Sequence, residues 1–271
     1  MRDQQSITAC IVTHNDGHQI EKCLKSIVKV CDEILLTHDG PCSDNTLIIA
    51  KKYGCVITQA KALGFAEPHR ATQFKKAKGA WILVIDPDEY LSDELQKNLK
   101  RLVKSDAADA YFFLWRFWDG KRNITKKWPH RIGVVKKTCM RYLGIQHTDW
   151  TPRGRLKLVD YELCHRPTYD NNTWKTFTTK HTKWLSIHAK QILTPVDQIP
   201  QFQWNSTLLP KHLEWIKRYD LWIAPFIFIY FIAGALILSF RTEGFRLWKW
   251  AFFQAFYYFL LCFEVSRLKR S

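Results

Sequence analysis

Short apolar runs alternate with stretches of helical apolar spacing along residues 1–105. Ile7–Thr13 is such a run and predicts a strand, closed by the turn His14-Asn15-Asp16-Gly17. Ile20, Cys23, Leu24, Ile27 and Val28 then recur at helical spacing. Glu33–Thr37 predicts a second strand, ended by His38-Asp39-Gly40-Pro41, and Ser43-Asp44 predicts the N-cap of a helix running through Lys52. Cys55–Thr58 reads as a third strand, Glu67–Lys78 as a helix, and Trp81–Ile85 as a buried strand. Leu95–Val103 follows as a helix and Asp109–Phe117 as another strand. Strands alternating with helices predict an α/β fold built on a doubly wound, mostly parallel sheet.

The pattern then changes twice. Residues 119–175 are less regular and hold Arg122, Lys126, Lys127, Arg131, Lys136, Lys137 and Arg141, with Trp128, His130, His147 and His165 among them. Residues 174–192 regain helical spacing. Leu221–Phe240 is an uncharged run of 20 residues interrupted by Pro225, and Leu247–Phe263 is apolar and aromatic apart from Lys249 and Gln254. Three arrangements fit: a transmembrane hairpin, a pair of helices lying in the membrane interface, or buried core helices. The turn between the two runs carries Arg241, Glu243 and Arg246, costly to push across a bilayer, which favours a shallow hairpin or an interfacial pair. The expected organisation is therefore a nucleotide-binding half at 1–105, an acceptor-binding half at 106–192, and a C-terminal membrane-associating helical region at 193–271.

Composition narrows the partners. Of 271 residues, 46% are hydrophobic and 24% charged, which is globular and excludes disorder. The net charge of +16 calls for an anionic partner: nucleic acid, nucleotide phosphates or an anionic membrane surface. The 12 Trp and 17 Phe concentrate in the second half, where aromatic and basic residues together suit a membrane interface. Single-stranded nucleic acid would suit them as well. No nucleic-acid recognition motif is present, however, and the apolar C-terminal part argues against one, so no nucleic acid is expected. The eight cysteines include no Cys-x-x-Cys pair, which favours reduced thiols in a cytoplasmic domain over a disulfide frame or zinc site. MRDQQSITAC has no signal-peptide apolar core, so the expected location is cytoplasmic.

The chemistry concentrates at Asp86-Pro87-Asp88-Glu89, directly after the Trp81–Ile85 run. Three carboxylates at the end of a buried strand repel one another and lose solvation unless positive charge lies among them. A divalent cation is the usual remedy, and hard oxygen ligands suit Mg²⁺ or Mn²⁺. A polar turn capping the next helix is the plainer alternative. In open α/β sheets ligands bind beyond the carboxyl ends of strands. Thr13-His14-Asn15-Asp16, the segment from Asp39 to Thr46, Arg70 and the acidic cluster all fall at that edge or just above it, and together can line one pocket. Asp39 can accept hydrogen bonds from a base or ribose, and Arg70 can bind phosphate or a sugar hydroxyl.

This ordered set resembles glycosyltransferase family 2, the inverting enzymes of GT-A fold. The match runs over roughly residues 5–105: Thr13-His14-Asn15, Asp39-Gly40-Pro41-Cys42-Ser43-Asp44-Asn45-Thr46, Arg70 and Asp86-Pro87-Asp88-Glu89. Pro41-Cys42 inserts one residue before Ser43-Asp44 relative to the family pattern. Trp128 to Arg131, His147, and His165 to Tyr169 before a Lys-rich helix are similar to lipopolysaccharide-core and related cell-envelope members. The resemblance implies a metal-dependent transferase that uses a nucleotide-sugar donor and a lipid-linked or oligosaccharide acceptor at the cytoplasmic face of the inner membrane. It places base and ribose near Thr13, Asn15, Asp16 and Asp39, and the diphosphate on a cation held by Asp88. Asp86, Glu89, Arg70 and Arg131 would lie beside the donor, with Asp86, and His165 or His147, as further metal ligands. The family's His-Glu pair stands here as His147-Thr148-Asp149, so Asp149 is the first candidate for the base and Glu162 the second. Competing readings are a nucleotidyl or phosphoryl transferase on the same sheet, for which no phosphate-cradling Gly-rich loop is present, a basic membrane- or nucleic-acid-binding protein, and a catalytically inactive member.

Overall fold

β1 (Ile7–Thr13) is buried along its whole length, as a central strand between two layers must be. Its side chains alternate between two cores. Ile7, Ala9 and Ile11 enter one, with Leu24, Leu36, Leu95 and Leu99, while Cys10 enters the other, with Phe74, Ile82, Val84 and Tyr142. The computed structural model describes residues 5–147, 152–170, 172–238 and 247–271.

β1 pairs in parallel with β2 (Glu33–Asp39) and with β4 (Trp81–Val84), and β3 (Val56–Ala60) extends the parallel set beyond β2. Beyond β4 the direction alternates. β7 (His130–Lys136) lies antiparallel to both β4 and β6 (Ala110–Leu114). β9 (Leu156–His165) is parallel to β6, and β5 (Glu89–Leu91) pairs antiparallel with β9. The full order is β3-β2-β1-β4-β7-β6-β9-β5, with a separate small ladder of β8 (Tyr142–Leu143) and Gln201–Phe202. The α/β architecture is thus as expected, with parallel pairing in the half that ends in the candidate motifs.

Four helices cover the sheet. α1 (Ile20–Ile27) buries Ile20, Cys23, Leu24 and Ile27 on one face. α2 (Thr46–Lys52) begins after Asn45 with no side-chain cap, whereas Ser43-Asp44 was the expected cap. Asp44 still serves the helix start, its Oδ1 accepting the Thr46 N–H at 2.9 Å, while its Oδ2 reaches across to accept the Gly17 N–H at 2.8 Å. α3 (Glu67–Lys76) is pinned by Gln73, whose Nε2 donates to the carbonyls of Ile11 (2.7 Å) and Leu35 (3.2 Å). That fixes the turn carrying His69 and Arg70. α4 (Asp93–Lys104) is capped by Ser92, which accepts the Leu95 N–H, and buries Leu95, Leu99 and Val103.

The described residues pack as two compact units. One comprises 1–117, 127–168 and 200–205 and contains the sheet; the other comprises 118–126, 169–199 and 206–271. In the second, the helix Trp248–Arg270 packs on Lys211–Leu238, which is broken at Asp220 (φ 28°). Phe228 meets Phe259 edge-on and Phe231 stacks on Tyr258 with centroids 5.1 Å apart. Among the described residues no helix is long and apolar enough to cross a membrane.

Gly133 on β7 lies against the buried ring of Phe113, and a Cβ there would sit 2.0 Å from Phe113 Cδ2. Gly133→Ala is expected to destabilise by about 1–3 kcal/mol through overpacking. A urea midpoint equal to wild type would contradict this packing.

Candidate active site

The first wall is built by the loops that follow β1 and β2. Asp16 folds back on β1: its Oδ2 accepts Thr13 Oγ1–H at 2.7 Å and the His14 N–H at 3.0 Å, and Oδ1 accepts Gln19 Nε2–H. Asn15 takes a positive φ of 54°, which Asn tolerates better than most residues. Its Oδ1 accepts the Ser43 N–H at 2.8 Å, and its own N–H donates to His38 Nε2 at 3.2 Å. The two strand-end loops are therefore laced together before any ligand arrives.

Asp39 is a brace in the same wall. Its Oδ1 accepts the Leu63 N–H at 2.7 Å and pairs with His69 Nε2 at 2.9 Å, while Oδ2 accepts the Gly64 N–H at 2.8 Å. Burial pushes its carboxyl pKa up, but the two amides and His69 outweigh it and hold it below the usual range. This carboxylate thus orients the segment around Leu63 and Gly64 from the end of β2.

The acidic cluster meets two arginines. Asp86 binds Arg70 through Oδ1 and Arg131 through Oδ2, the latter at 3.1 Å. Burial raises its pKa, and the guanidinium groups more than reverse that, holding it at about 2. Glu89 is fully buried. Its Oε1 accepts from Arg131 and from Trp115 Nε1–H (2.6 Å), and its Oε2 accepts the Asp86 N–H at 2.8 Å. Burial pushes the Glu89 carboxyl up, and Arg131 offsets this only in part, so it stays above the usual carboxylate range. The positive charge that three adjacent carboxylates demand is thus supplied to two of them by α3 and β7.

Asp88 is the third. Its Oδ2 lies 3.4 Å from His165 Nε2, at the end of β9. His165 Nδ1 is buried with no hydrogen-bond partner among the described residues. Two donor atoms at this separation fit adjacent positions on one small cation, whose metal–oxygen bonds are about 2.1 Å. Carboxylate and imidazole suit Mn²⁺, and Mg²⁺ accepts a site with one protein carboxylate when phosphate and water complete it. No group of three His, Cys, Asp or Glu among the described residues could hold an ion unaided. The donor set therefore fits a cation shared with a phosphate ligand.

The remaining predicted residues lie as follows. Glu162 on β9 is bound by Arg116 and by Arg166 (3.0 Å), so that burial raises its pKa and the two guanidinium groups hold it low. His147 is exposed at the end of a described segment (φ 56°) and is not among the contacts of Asp88. Asp149 lies outside the described residues. Sequence reading passed over Trp115, His69, Arg116 and Arg166. The adjacent pairs Trp115-Arg116 and His165-Arg166, each at the end of a strand, were the available signal for three of them.

A family model, "Glycosyl transferase family 2", matches residues 8–164. An uncharacterized glycosyltransferase of Rickettsia felis is 30% identical over 247 residues, covering 85% of this chain and 82% of that protein. One from Rickettsia bellii is 33% identical over 107 residues, 40% of this chain, so that the alignment spans only 36% of that relative's length. Among solved structures, residues 1–349 of Staphylococcus aureus TarS in complex with UDP-GlcNAc align over 95% of this chain and 81% of that one, at 14% identity and a TM-score of 0.49. Glucosyl-3-phosphoglycerate synthase from Mycobacterium tuberculosis, in complex with Mn²⁺, UDP and glucosyl-3-phosphoglycerate, aligns over 75% and 88% at 13% identity and a TM-score of 0.43.

Asp39 generates a stability prediction. Because its folded pKa is depressed, its contribution is fully present above the ordinary carboxylate pKa of about 3.9 and fades as pH falls below it. Asp39→Asn should lower stability at pH 6 by about 1–3 kcal/mol and flatten the loss between pH 6 and pH 3. Urea titrations at both pH values check this, and parallel losses in the two proteins would remove Asp39 from the account.

Proposed function

This chain belongs to glycosyl transferase family 2, and on that footing we propose that it is an inverting, metal-dependent transferase moving a sugar from a nucleotide-sugar donor to a lipid-linked or cell-envelope saccharide at the cytoplasmic face of the inner membrane. The observation that carries the donor side is the Asp88–His165 pair beside an acidic cluster whose other two carboxylates are already neutralised by Arg70 and Arg131.

In this reading the loops after β1 and β2 receive base and ribose, because Asn15, Asp16 and Asp39 hold them in place before binding. Asp88 and His165 would hold Mg²⁺ or Mn²⁺, which supplies charge neutralisation for the departing nucleoside diphosphate. Arg70 and Arg131 fix Asp86 and Glu89, so the positive charge of the pocket stays where the donor needs it. A carboxylate takes the proton of the acceptor hydroxyl as that oxygen attacks the anomeric carbon from the face opposite the leaving group, which inverts configuration. The pairing of Glu162 with two arginines makes it a weak proton acceptor and supports Asp149 for that step.

Attachment to the membrane is supported by the exposed face of Lys211–Leu238. Beyond the break at Asp220, Trp222, Phe226, Ile229, Tyr230 and Ile237 recur at helical spacing, with Trp222 and Tyr230 84% and 73% exposed, and Trp215 and Tyr219 are exposed before the break. Lys211 and Arg218 are exposed on the segment before the break. Aromatic side chains beside basic ones suit an anionic lipid surface.

Two measurements test this reading. A nucleotide-sugar panel scored by Mn²⁺- or Mg²⁺-dependent thermal shift should raise the melting temperature with one donor, and Asp88→Ala should abolish the shift. No metal-dependent shift with any donor would contradict the transferase reading of the site. Vesicles rich in phosphatidylglycerol should sediment the wild-type protein, and Trp222→Gln with Phe226→Gln should weaken that binding at least about tenfold, since each buried aromatic contributes about 1.5–3 kcal/mol. Equal binding of both proteins would exclude this face as the lipid contact.

A further inference from the structure

Trp115 follows β6 and makes two contacts in the acidic cluster at once. Its Nε1–H donates to Glu89 Oε1 at 2.6 Å, and its ring stacks on the His165 imidazole with centroids 4.3 Å apart and planes inclined by 23°. The Arg131 guanidinium lies 5.8 Å from the centre of the indole and binds the same Glu89 oxygen. Glu89 itself is closed in: its second oxygen accepts the Asp86 N–H, and no part of the residue reaches solvent. A carboxylate so enclosed and so fully hydrogen-bonded has little left to offer a cation or a sugar, although it stands in the same four-residue cluster as Asp88.

His165 shows the complementary feature. A ligating histidine is ordinarily oriented by a hydrogen bond from its second ring nitrogen to a carboxylate, carbonyl or water. Here Nε2 faces Asp88 and Nδ1 is buried with no partner among the described residues, so no hydrogen bond from them sets the rotation of the ring. What lies against the ring is Trp115. The indole in turn is held by the Glu89 bond, and Glu89 by Arg131 and the Asp86 amide.

We propose that Trp115 is a positioning residue that holds the His165 imidazole toward a divalent cation shared with Asp88, and that Glu89 acts through Trp115 rather than as a ligand. This rests on the cation role assigned above to Asp88 and His165. The stack replaces the missing hydrogen bond: it fixes the plane of the imidazole while leaving Nε2 free to turn from Asp88 to a metal. It also gives the three carboxylates distinct tasks. Asp86 anchors the arginines, Glu89 anchors the indole, and Asp88 is left for the ion.

Water-proton relaxation titration with Mn²⁺ alone measures the site without turnover. Trp115→Leu removes both ring and N–H, and Trp115→Phe keeps a stacking ring but loses the bond to Glu89. Loss of an orienting partner typically weakens metal binding about 10–100-fold. The expected order of Mn²⁺ affinity is therefore wild type, Trp115→Phe, Trp115→Leu, with His165→Ala at least as weak as the last. The titrations are run well below the metal-free melting temperature of each variant, so that a merely structural role of Trp115 leaves the affinity unmoved. Should Trp115→Leu fail to fold, Trp115→Phe alone carries the comparison. If both Trp115 variants bind Mn²⁺ like wild type while His165→Ala does not, the positioning role is overturned and the cation reading stands. If His165→Ala binds like wild type, the cation reading itself fails and this proposal with it.

Discussion

The arrangement of the first unit depends on three carboxylates side by side after β4: Glu89 fully buried, Asp86 and Asp88 partly so. Left unpaired, such charges cost several kcal/mol each even after relaxation. Two of the three are matched by arginines from different parts of the chain, Arg70 on α3 and Arg131 on β7. Removing one partner of a buried pair of this kind typically costs about 3–5 kcal/mol, because the other charge stays behind. α3 and β7 are accordingly tied to β4 by electrostatics as well as by packing, and the same ties leave Asp88 as the carboxylate without an arginine.

That constraint connects fold to chemistry. Gln73 pins α3 to carbonyls of β1 and β2, and one turn earlier the same helix presents His69 to Asp39 and Arg70 to Asp86. Asp39 holds the segment around Leu63 and Gly64, and Asn15 and Asp44 tie the loops after β1 and β2 to each other. Four strand ends are thus braced by side chains whose hydrogen bonds are already made. On the proposed reading, a charged donor meets walls that need little reorganisation, the condition under which electrostatic stabilisation of a leaving group is most effective.

The parallel half was legible in the sequence because its strands are apolar on both faces and its turns carry Gly, Asn, Asp and Pro. Ile7–Thr13 was predicted to the residue, and β2 and β4 within two. β7 and β9 escaped notice because both interleave Lys, Arg and His with apolar residues, as HRIGVVK and LKLVDYELCH show. β5 escaped because three residues are too few for a periodic signal. At the site, the acidic cluster, Arg70, Arg131 and His165 could be picked out one by one, and the structure brings them together. What sequence could not convey is how the partners divide. That Glu89 takes an indole and Asp86 two guanidiniums depends on contacts between residues far apart in the chain, and no spacing rule encodes them.

The central claim is that Asp88 and His165, and not Asp86 or Glu89, face the donor's diphosphate through a cation. The most direct measurement is a crystal of the protein grown with Mn²⁺ and a nucleoside diphosphate, with data collected at the manganese absorption edge. The account predicts one anomalous peak within bonding distance of an Asp88 oxygen and His165 Nε2, and an intact bond from Trp115 to Glu89. A peak bound by Asp86 or Glu89 with their arginines displaced, or a diphosphate seated away from Asp88, would contradict it.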